Sequence, residues 1–334
     1  MRIAIVGTEL CAVDSRGGGL EQVLLRWAHH LVDAHDVVVV SHRVPRRGPD
    51  MDVVSIDGSD DLRRALRRLK PDVVSLHNRP QWSALAPRGS RCAVTFHNYP
   101  AAWKLRAGDR IARPLAASAV SSALASAARM LLGREVVVTP PSIAPEYLAE
   151  PARQPTSEVL FPNRLMQKKG VRDLLAVARR PELAAVTFAF ADLISPWARP
   201  TAEHRALRDA VDEVPNAIRF PPIRDAAQLA ERYWRTGVVA CPVTEDEGLG
   251  LVALEAQACA APLVTVDRGG LREATFSPNA CLPGGDLDAL AAALVNALER
   301  DPTCSAGPRA EVLARYSPAS SGRSLGAWLE RVAA

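Results

Sequence analysis

Lysine is almost missing from this chain of 334 residues: four lysines stand among 41 basic residues, and arginine supplies the rest. No C-x-x-C pair occurs among the six cysteines at 11, 92, 241, 259, 281 and 304, and most of them sit in apolar runs. That excludes zinc ribbons and redox pairs and predicts reduced, buried thiols. No run of 18 apolar residues is present, and MRIAIVG leads straight into a strand pattern without a charged-then-apolar leader. A membrane span and a secretory signal are therefore not expected, and a cytoplasmic location is. Neither GxxxxGK[ST] nor GxGxxG appears, which disfavours P-loop and nicotinamide enzymes. There is no internal repeat, no low-complexity tract and no zinc-finger or RNA-binding signature.

Charge is abundant but nearly balanced, and its placement is uneven. Residues 1–150 carry 20 Lys+Arg against 15 Asp+Glu, or +5, and the remainder carries 21 against 22, or −1. A mildly basic first half favours anionic substrates or a membrane surface and is too weak to imply nucleic acid.

Short apolar runs alternate with helical patterns, the signature of α/β architecture with parallel sheets. The first half predicts strands at Ile3–Val6, Val37–Ser41, Val53–Ile56, Val73–Leu76, Ala93–Phe96 and Val136–Val138, with helices at Leu20–Ala34 and Asp61–Leu69. Prolines 140, 141, 145, 151 and 155 mark a linker over 139–156. A second series follows, with strands at Val159–Phe161, Thr187–Phe190, Ile218–Phe220, Val238–Cys241 and Leu263–Val266. Helices are expected near 170–180, 202–212, 225–235, 250–260 and 286–299, and again over Ser320–Val332. The expected organisation is two doubly wound, Rossmann-like domains: residues 1–148 on the acceptor side and 149–316 for the donor. Residues 317–334 form a helix returning to the first domain, and a cleft separates the two. Ligands of such sheets bind outside the carboxyl ends of the strands.

Four constellations fall at those ends. Glu247-Gly-Leu-Gly-Leu-Val-Ala-Leu-Glu255 follows a strand and a polar turn, and Gly248 and Gly250 uncover the backbone where a helix begins. Helix N-termini attract anions, while the two carboxylates suit sugar and ribose hydroxyls. On spacing alone, a first Glu that offsets the dipole and a second that is surface charge fit equally well. Arg164-Leu-Met-Gln-Lys-Lys-Gly170 places an Arg fork and Lys169 on a loop leading into a helix, a pairing suited to a diphosphate or to a plain basic surface. Gly17, Gly18 and Gly19 permit close backbone approach before the first helix. Thr95-Phe96-His97-Asn98 and Leu76-His77-Asn78 end neighbouring strands in the same way. Asp50-Met-Asp52 and Asp286-Leu-Asp288 are the two Asp-x-Asp stretches; both sit at element boundaries, the second resembling a helix cap, and no metal site is expected.

In this order the four pieces resemble glycosyltransferase family 4, retaining enzymes of the two-Rossmann-domain GT-B architecture. EDEGLGLVALEAQACAAPLVTVDRGGLREA is similar to the family's E-x7-E region, NRLMQKKG to its basic loop, GGGLEQVLLRWAHHL to its glycine loop and TFHN to its strand-end histidine. The resemblance implies that Arg164 and Lys169 hold a donor diphosphate, that Glu247 contacts the transferred sugar and that Glu255 binds the nucleotide ribose. It further implies that Gly18, Gly19, Gly248, Leu249, Gly250, Leu251 and Val252 line the donor through their backbone, and that His97 contacts the sugar. Asn163, Leu249 and Ala260–Ala261 depart from the family pattern, which bears on sugar specificity rather than on the reaction. The implied activity is metal-independent, retaining transfer of a hexose from a UDP- or GDP-sugar to a hydroxyl acceptor: a small natural product, a glycan or a lipid-linked molecule. Alternatives on the same fold are a nucleotide-sugar epimerase or hydrolase, and a silent nucleotide-sugar-binding protein. Ala101–Leu115, with Trp103 among arginines, is either an acceptor-side loop or a weak peripheral contact with the inner membrane face.

Overall fold

The computed structural model describes residues 1–7, 18–42, 52–99, 115–192, 199–223, 225–277, 279–299 and 305–334. Gly17, Asp50 and Trp103 lie outside the described residues, as do Cys11 and Cys304. The chain divides into two units, Met1–Ser142 with Pro318–Ala334, and Ile143–Ser317. The first boundary lies at Ser142/Ile143 rather than at 148/149. The physical reason is that Pro145–Leu148 form a 3-10 turn whose Tyr147 packs edge-on against Tyr233 of the second unit, with ring centroids 6.1 Å apart.

In the first unit the described strands are β1 (Arg2–Val6), β2 (Asp36–His42), β3 (Asp52–Ile56), β4 (Val73–His77), β5 (Arg91–Phe96), β6 (Leu115–Ala119) and β7 (Val137–Val138). They form a parallel sheet of order β3-β2-β1-β4-β5-β6-β7. The Val, Ile and Leu runs of β1, β2 and β4 are buried on both faces, as doubly covered parallel strands require, while the edge strands β3 and β7 are partly exposed. The order reverses between β1 and β4, so the carboxyl ends of these neighbours, with β5 beside them, frame the switch point where ligands bind.

Helix α1 (Gly19–Leu31) buries Val23, Leu24, Trp27, Ala28 and Leu31, a 3-4 spacing that puts one stripe on the core. Each such large apolar side chain contributes about 1.5–3 kcal/mol by leaving water. The C-terminal helix Pro318–Ala333 lies against α1. Its Gly322 permits that approach, because a Cβ there would stand 2.1 Å from the His30 ring. Trp27 Nε1 donates to Ser321 Oγ at 2.7 Å, and Ser321 Oγ donates to the Pro140 carbonyl at 2.6 Å. Helix α2 (Ser59–Leu69) buries Leu62, Ala65 and Leu66 and leaves Arg63, Arg64, Arg67 and Arg68 in water, so its arginines form a solvated face. Helix α3 (Ser122–Leu132) is capped by Ser121, whose hydroxyl accepts from Leu124 N–H.

The second unit has described strands β8 (Glu158–Phe161), β9 (Thr187–Ala191), β10 (Ala217–Phe220), β11 (Val238–Cys241), β12 (Leu263–Val266) and β13 (Cys281–Leu282). They are parallel, in the order β10-β9-β8-β11-β12-β13. Here the switch point lies between β8 and β11. Helices α4 (Val171–Ala178), α5 (Ala202–Asp212), α6 (Ala226–Arg235), α7 (Leu251–Ala258) and α9 (Leu287–Glu299) fall where the sequence predicts them; between the last two lies the four-residue α8 (Leu271–Ala274). Asp286 caps α9, its Oδ1 accepting from Asp288 and Ala289 N–H, while Asp288 pairs with Arg180. Phe161, Leu174, Leu175, Phe188, Phe190 and Leu294 fill the core. Helix α10 (Ala306–Tyr316), like β6 and α3 of the first unit, was not expected from the sequence.

Candidate active site

Both switch points carry the residues singled out by sequence. In the second unit, the loop after β8 holds Arg164 to Gly170, and the loop after β11 holds Glu247 to Gly250. The two loops are locked together. Thr244 N–H donates to the Lys168 carbonyl at 3.0 Å, and Gly170, at φ +80°, is so close to the β11 loop that a Cβ would stand 1.8 Å from the Pro242 carbonyl oxygen. Only glycine fits there, on both conformational and steric grounds.

This docking delivers the Lys169 ammonium onto the Glu247 carboxylate, in a direct, charge-assisted hydrogen bond. Glu247 is held in turn by its backbone: its carbonyl accepts from Gly270 N–H at 2.8 Å, and it bridges Gly269. Glu247 thus lies between a cation and the start of the next helix. An ammonium has three donors, and Glu247 uses only part of that capacity. Arg164 stands exposed on the same loop.

Helix α7 opens at Gly250, whose φ is +105° and whose missing Cβ would collide with Leu271 at 2.4 Å. The N–H groups of Leu251 and Val252 begin the helix with no carbonyl a turn earlier to bond, so they present the positive end of the dipole. Gly248 is buried, and Leu249 is buried to 4% exposure, so the Leu249 side chain belongs to the core and only its backbone can face a ligand. Glu255, two turns on, accepts at Oε2 from the Tyr233 hydroxyl at 3.1 Å. Tyr233 is a residue that sequence reasoning missed. On α6 it occupies the apolar stripe with Ala230, where a tyrosine reads as core.

In the first unit, Gly18 and Gly19 are exposed at the start of α1. His77 and His97 end β4 and β5, and their rings meet: His77 Nδ1 and His97 Nε2 share a hydrogen bond of 3.1 Å. His77 Nε2 lies 3.3 Å from Ser75 Oγ, and Trp27 covers both rings at 5.9 and 5.5 Å between centroids. Asn78, left-handed at φ 57°, turns its Oδ1 to accept from His97 N–H at 2.7 Å. Burial pulls the His97 imidazole down to about 3, and burial together with the field of His97 holds His77 well below its usual value. Both rings are neutral at physiological pH. Among the described residues, no group of three or more His, Cys, Asp or Glu is placed to hold a metal ion, and no helix is long and apolar enough to cross a membrane.

Residues 156–300 match the family described as glycosyl transferases group 1. The D-inositol 3-phosphate glycosyltransferase of Kineococcus radiotolerans is 35% identical over 169 residues, 44% of this chain and 37% of that protein. Glycogen synthase of Mycobacterium tuberculosis is 34% identical over 169 residues, 48% of this chain and 38% of that protein. The chain thus spans under two fifths of the length of these curated relatives. Across 99% of the chain the fold is that of sucrose-phosphate synthase from Thermosynechococcus elongatus, with a TM-score of 0.81 at 17% identity over 98% of that chain. HepE from Anabaena, solved in complex with UDP-glucose, has a TM-score of 0.78 at 16% identity, with 99% of this chain and all of that chain (100%) covered. The likeness establishes two parallel-sheet, Rossmann-like units, the architecture of GT-B glycosyltransferases.

Proposed function

We propose that this protein is a metal-independent, retaining glycosyltransferase that moves a hexose from a nucleotide-sugar donor, UDP- or GDP-linked, to a hydroxyl acceptor. The observation that carries the reading is the Lys169–Glu247 pair beside the glycine-opened N-terminus of α7, at the switch point of the second unit. One locus thereby offers cationic donors for a diphosphate and a carboxylate for sugar hydroxyls. The match of residues 156–300 to glycosyl transferases, and the UDP-glucose bound in HepE, agree with it.

In the reaction, the bond between the anomeric carbon and the diphosphate oxygen breaks. Arg164, Lys169 and the N–H groups of Leu251 and Val252 stabilise the charge that builds on the leaving phosphate. The acceptor oxygen attacks on the face the phosphate leaves, and its proton passes to a departing phosphate oxygen, so the anomeric configuration is kept. Glu247 orients Lys169 and accepts hydrogen bonds from the sugar, and Glu255 accepts from the ribose. A neutral His97 with so low a proton affinity is a poor general base and serves to orient the sugar.

The test is a melting-temperature screen against UDP-, GDP-, ADP- and dTDP-sugars, followed by transfer assays with the stabilising donor. A donor at about 100 times its Kd stabilises by about 2.7 kcal/mol. A screen without any upward shift would overturn the reading. So would a product of inverted configuration, or release of free sugar at the full rate without acceptor.

A further inference from the structure

Tyr233 is a deeply buried polar side chain in contact with a proposed donor residue. It is 0% exposed, and its hydroxyl donates to Glu255 Oε2 at 3.1 Å. Its backbone and its ring are both anchored. Tyr147 packs edge-on against it at an interplanar angle of 72°, and Arg153 Nη1 donates to the Tyr233 carbonyl at 2.7 Å. Asp225 caps the start of α6, its Oδ1 accepting from Ala227 and Gln228 N–H. Burial first, and the Glu255 charge second, push the phenol well above its ordinary value, so it is always a donor. A core role alone would be filled as well by phenylalanine. A hydroxyl buried at this depth is instead spent on a carboxylate, and its hydrogen bond restrains the Glu255 side chain.

We infer that Tyr233 is a positioning residue that makes the site selective for ribonucleotides over 2′-deoxyribonucleotides, by holding Glu255 in the orientation that accepts hydrogen bonds from the ribose hydroxyls. The inference rests on the proposed reading of Glu255 as the ribose-binding residue. A carboxylate free to swing toward water would lose little when a hydroxyl is removed from the ligand. A fixed one is left with an unmet acceptor, and that asymmetry is what discriminates a ligand bearing the hydroxyl from one lacking it.

The experiment measures binding of UDP, GDP and ADP, each beside its 2′-deoxy counterpart, by calorimetry on wild type, Tyr233→Phe, Glu255→Ala and the double variant. Wild type is expected to favour the ribose form of its preferred diphosphate by about 10- to 100-fold, the range for a hydrogen bond to a charged group. In Tyr233→Phe that preference falls to within about threefold, while affinity for the deoxy form stays within about twofold of wild type. Glu255→Ala loses the preference too, and adding Tyr233→Phe to it changes nothing more, which separates positioning from a general loosening of the fold. If Tyr233→Phe keeps the full preference while Glu255→Ala loses it, the inference fails and the ribose reading of Glu255 stands. If wild type binds the diphosphates without preferring ribose, or binds none of the six, both fail.

Discussion

Lys169 and Glu247, 78 residues apart in sequence, form a direct ion pair with both side chains largely withdrawn from water. Neither residue reaches the other through its own element. They meet because β8 and β11 are neighbours and because Gly170 lets their loops touch.

Removing the ammonium is therefore expected to remove two things, a diphosphate donor and the partner that orients Glu247. Lys169→Ala should lower kcat by about 100- to 1000-fold, the range for loss of one preorganised charge-stabilising donor. Initial rates with the stabilising nucleotide-sugar measure this, and an unchanged melting temperature shows that the loss is chemical. Near-normal turnover would sink the assignment of Lys169.

Gly170→Ala tests the docking of the loops. A Cβ cannot coexist with the Pro242 carbonyl at 1.8 Å, and the left-handed φ of +80° adds strain. The expected cost is about 2–4 kcal/mol, read as a lower urea midpoint, with donor affinity falling as Lys169 and Glu247 separate. A variant as stable as wild type would show that the loop relaxes without consequence.

His77 does not have to touch substrate to matter, since it fixes the ring of His97 through Nδ1. His77→Asn keeps a polar atom near that position, and His77→Leu does not. The leucine variant should lose about tenfold in kcat/KM, on the order of one hydrogen bond, with its melting temperature maintained, while the asparagine variant recovers most of it. Equal activity in the two would mean that the tautomer of His97 is set elsewhere.

Acid should weaken the first unit through the same pair. With His97 at about 3 in the folded protein and near 6.5 unfolded, the unfolded chain binds more protons between those values. Stability is then fully present above pH 6.5 and is lost as pH falls below it, by up to about 1.4 kcal/mol per pH unit for each such histidine. Urea unfolding at pH 7.5, 6.5 and 5.5 on wild type and on a His77→Leu, His97→Leu double variant checks this. The variant should show the shallower slope, and parallel slopes would refute the assignment.

How legible the molecule is in its sequence depends on the kind of feature. The apolar strands β1, β2, β4, β8 and β11 announce themselves by composition, because strands covered on both faces must be apolar throughout. β6, LAASA, does not. Its small residues have little apolar signature, and beside its backbone pairing with β5 and β7 it is tied in by Ser118 Oγ, which shares a hydrogen bond with Thr95 Oγ1 and accepts one from Thr139 Oγ1, each 2.9 Å. Among the site residues, Arg164, Lys169, Glu247, Glu255 and His97 are readable as residue types at strand ends. Tyr233 is not, because a tyrosine on an amphipathic helix looks like core until its hydroxyl is seen on Glu255.

By itself, then, the sequence determined that the chain forms two doubly wound parallel sheets, and it nominated the strand ends that carry cations, carboxylates and histidines. Both follow from periodicity and residue chemistry within single elements, which are local properties. Only the tertiary structure decided which of those ends are neighbours: Lys169 against Glu247, His77 against His97, Tyr233 beneath Glu255. Strand order, and glycines whose missing Cβ atoms let loops and helices touch, set those meetings, and no local pattern records either one.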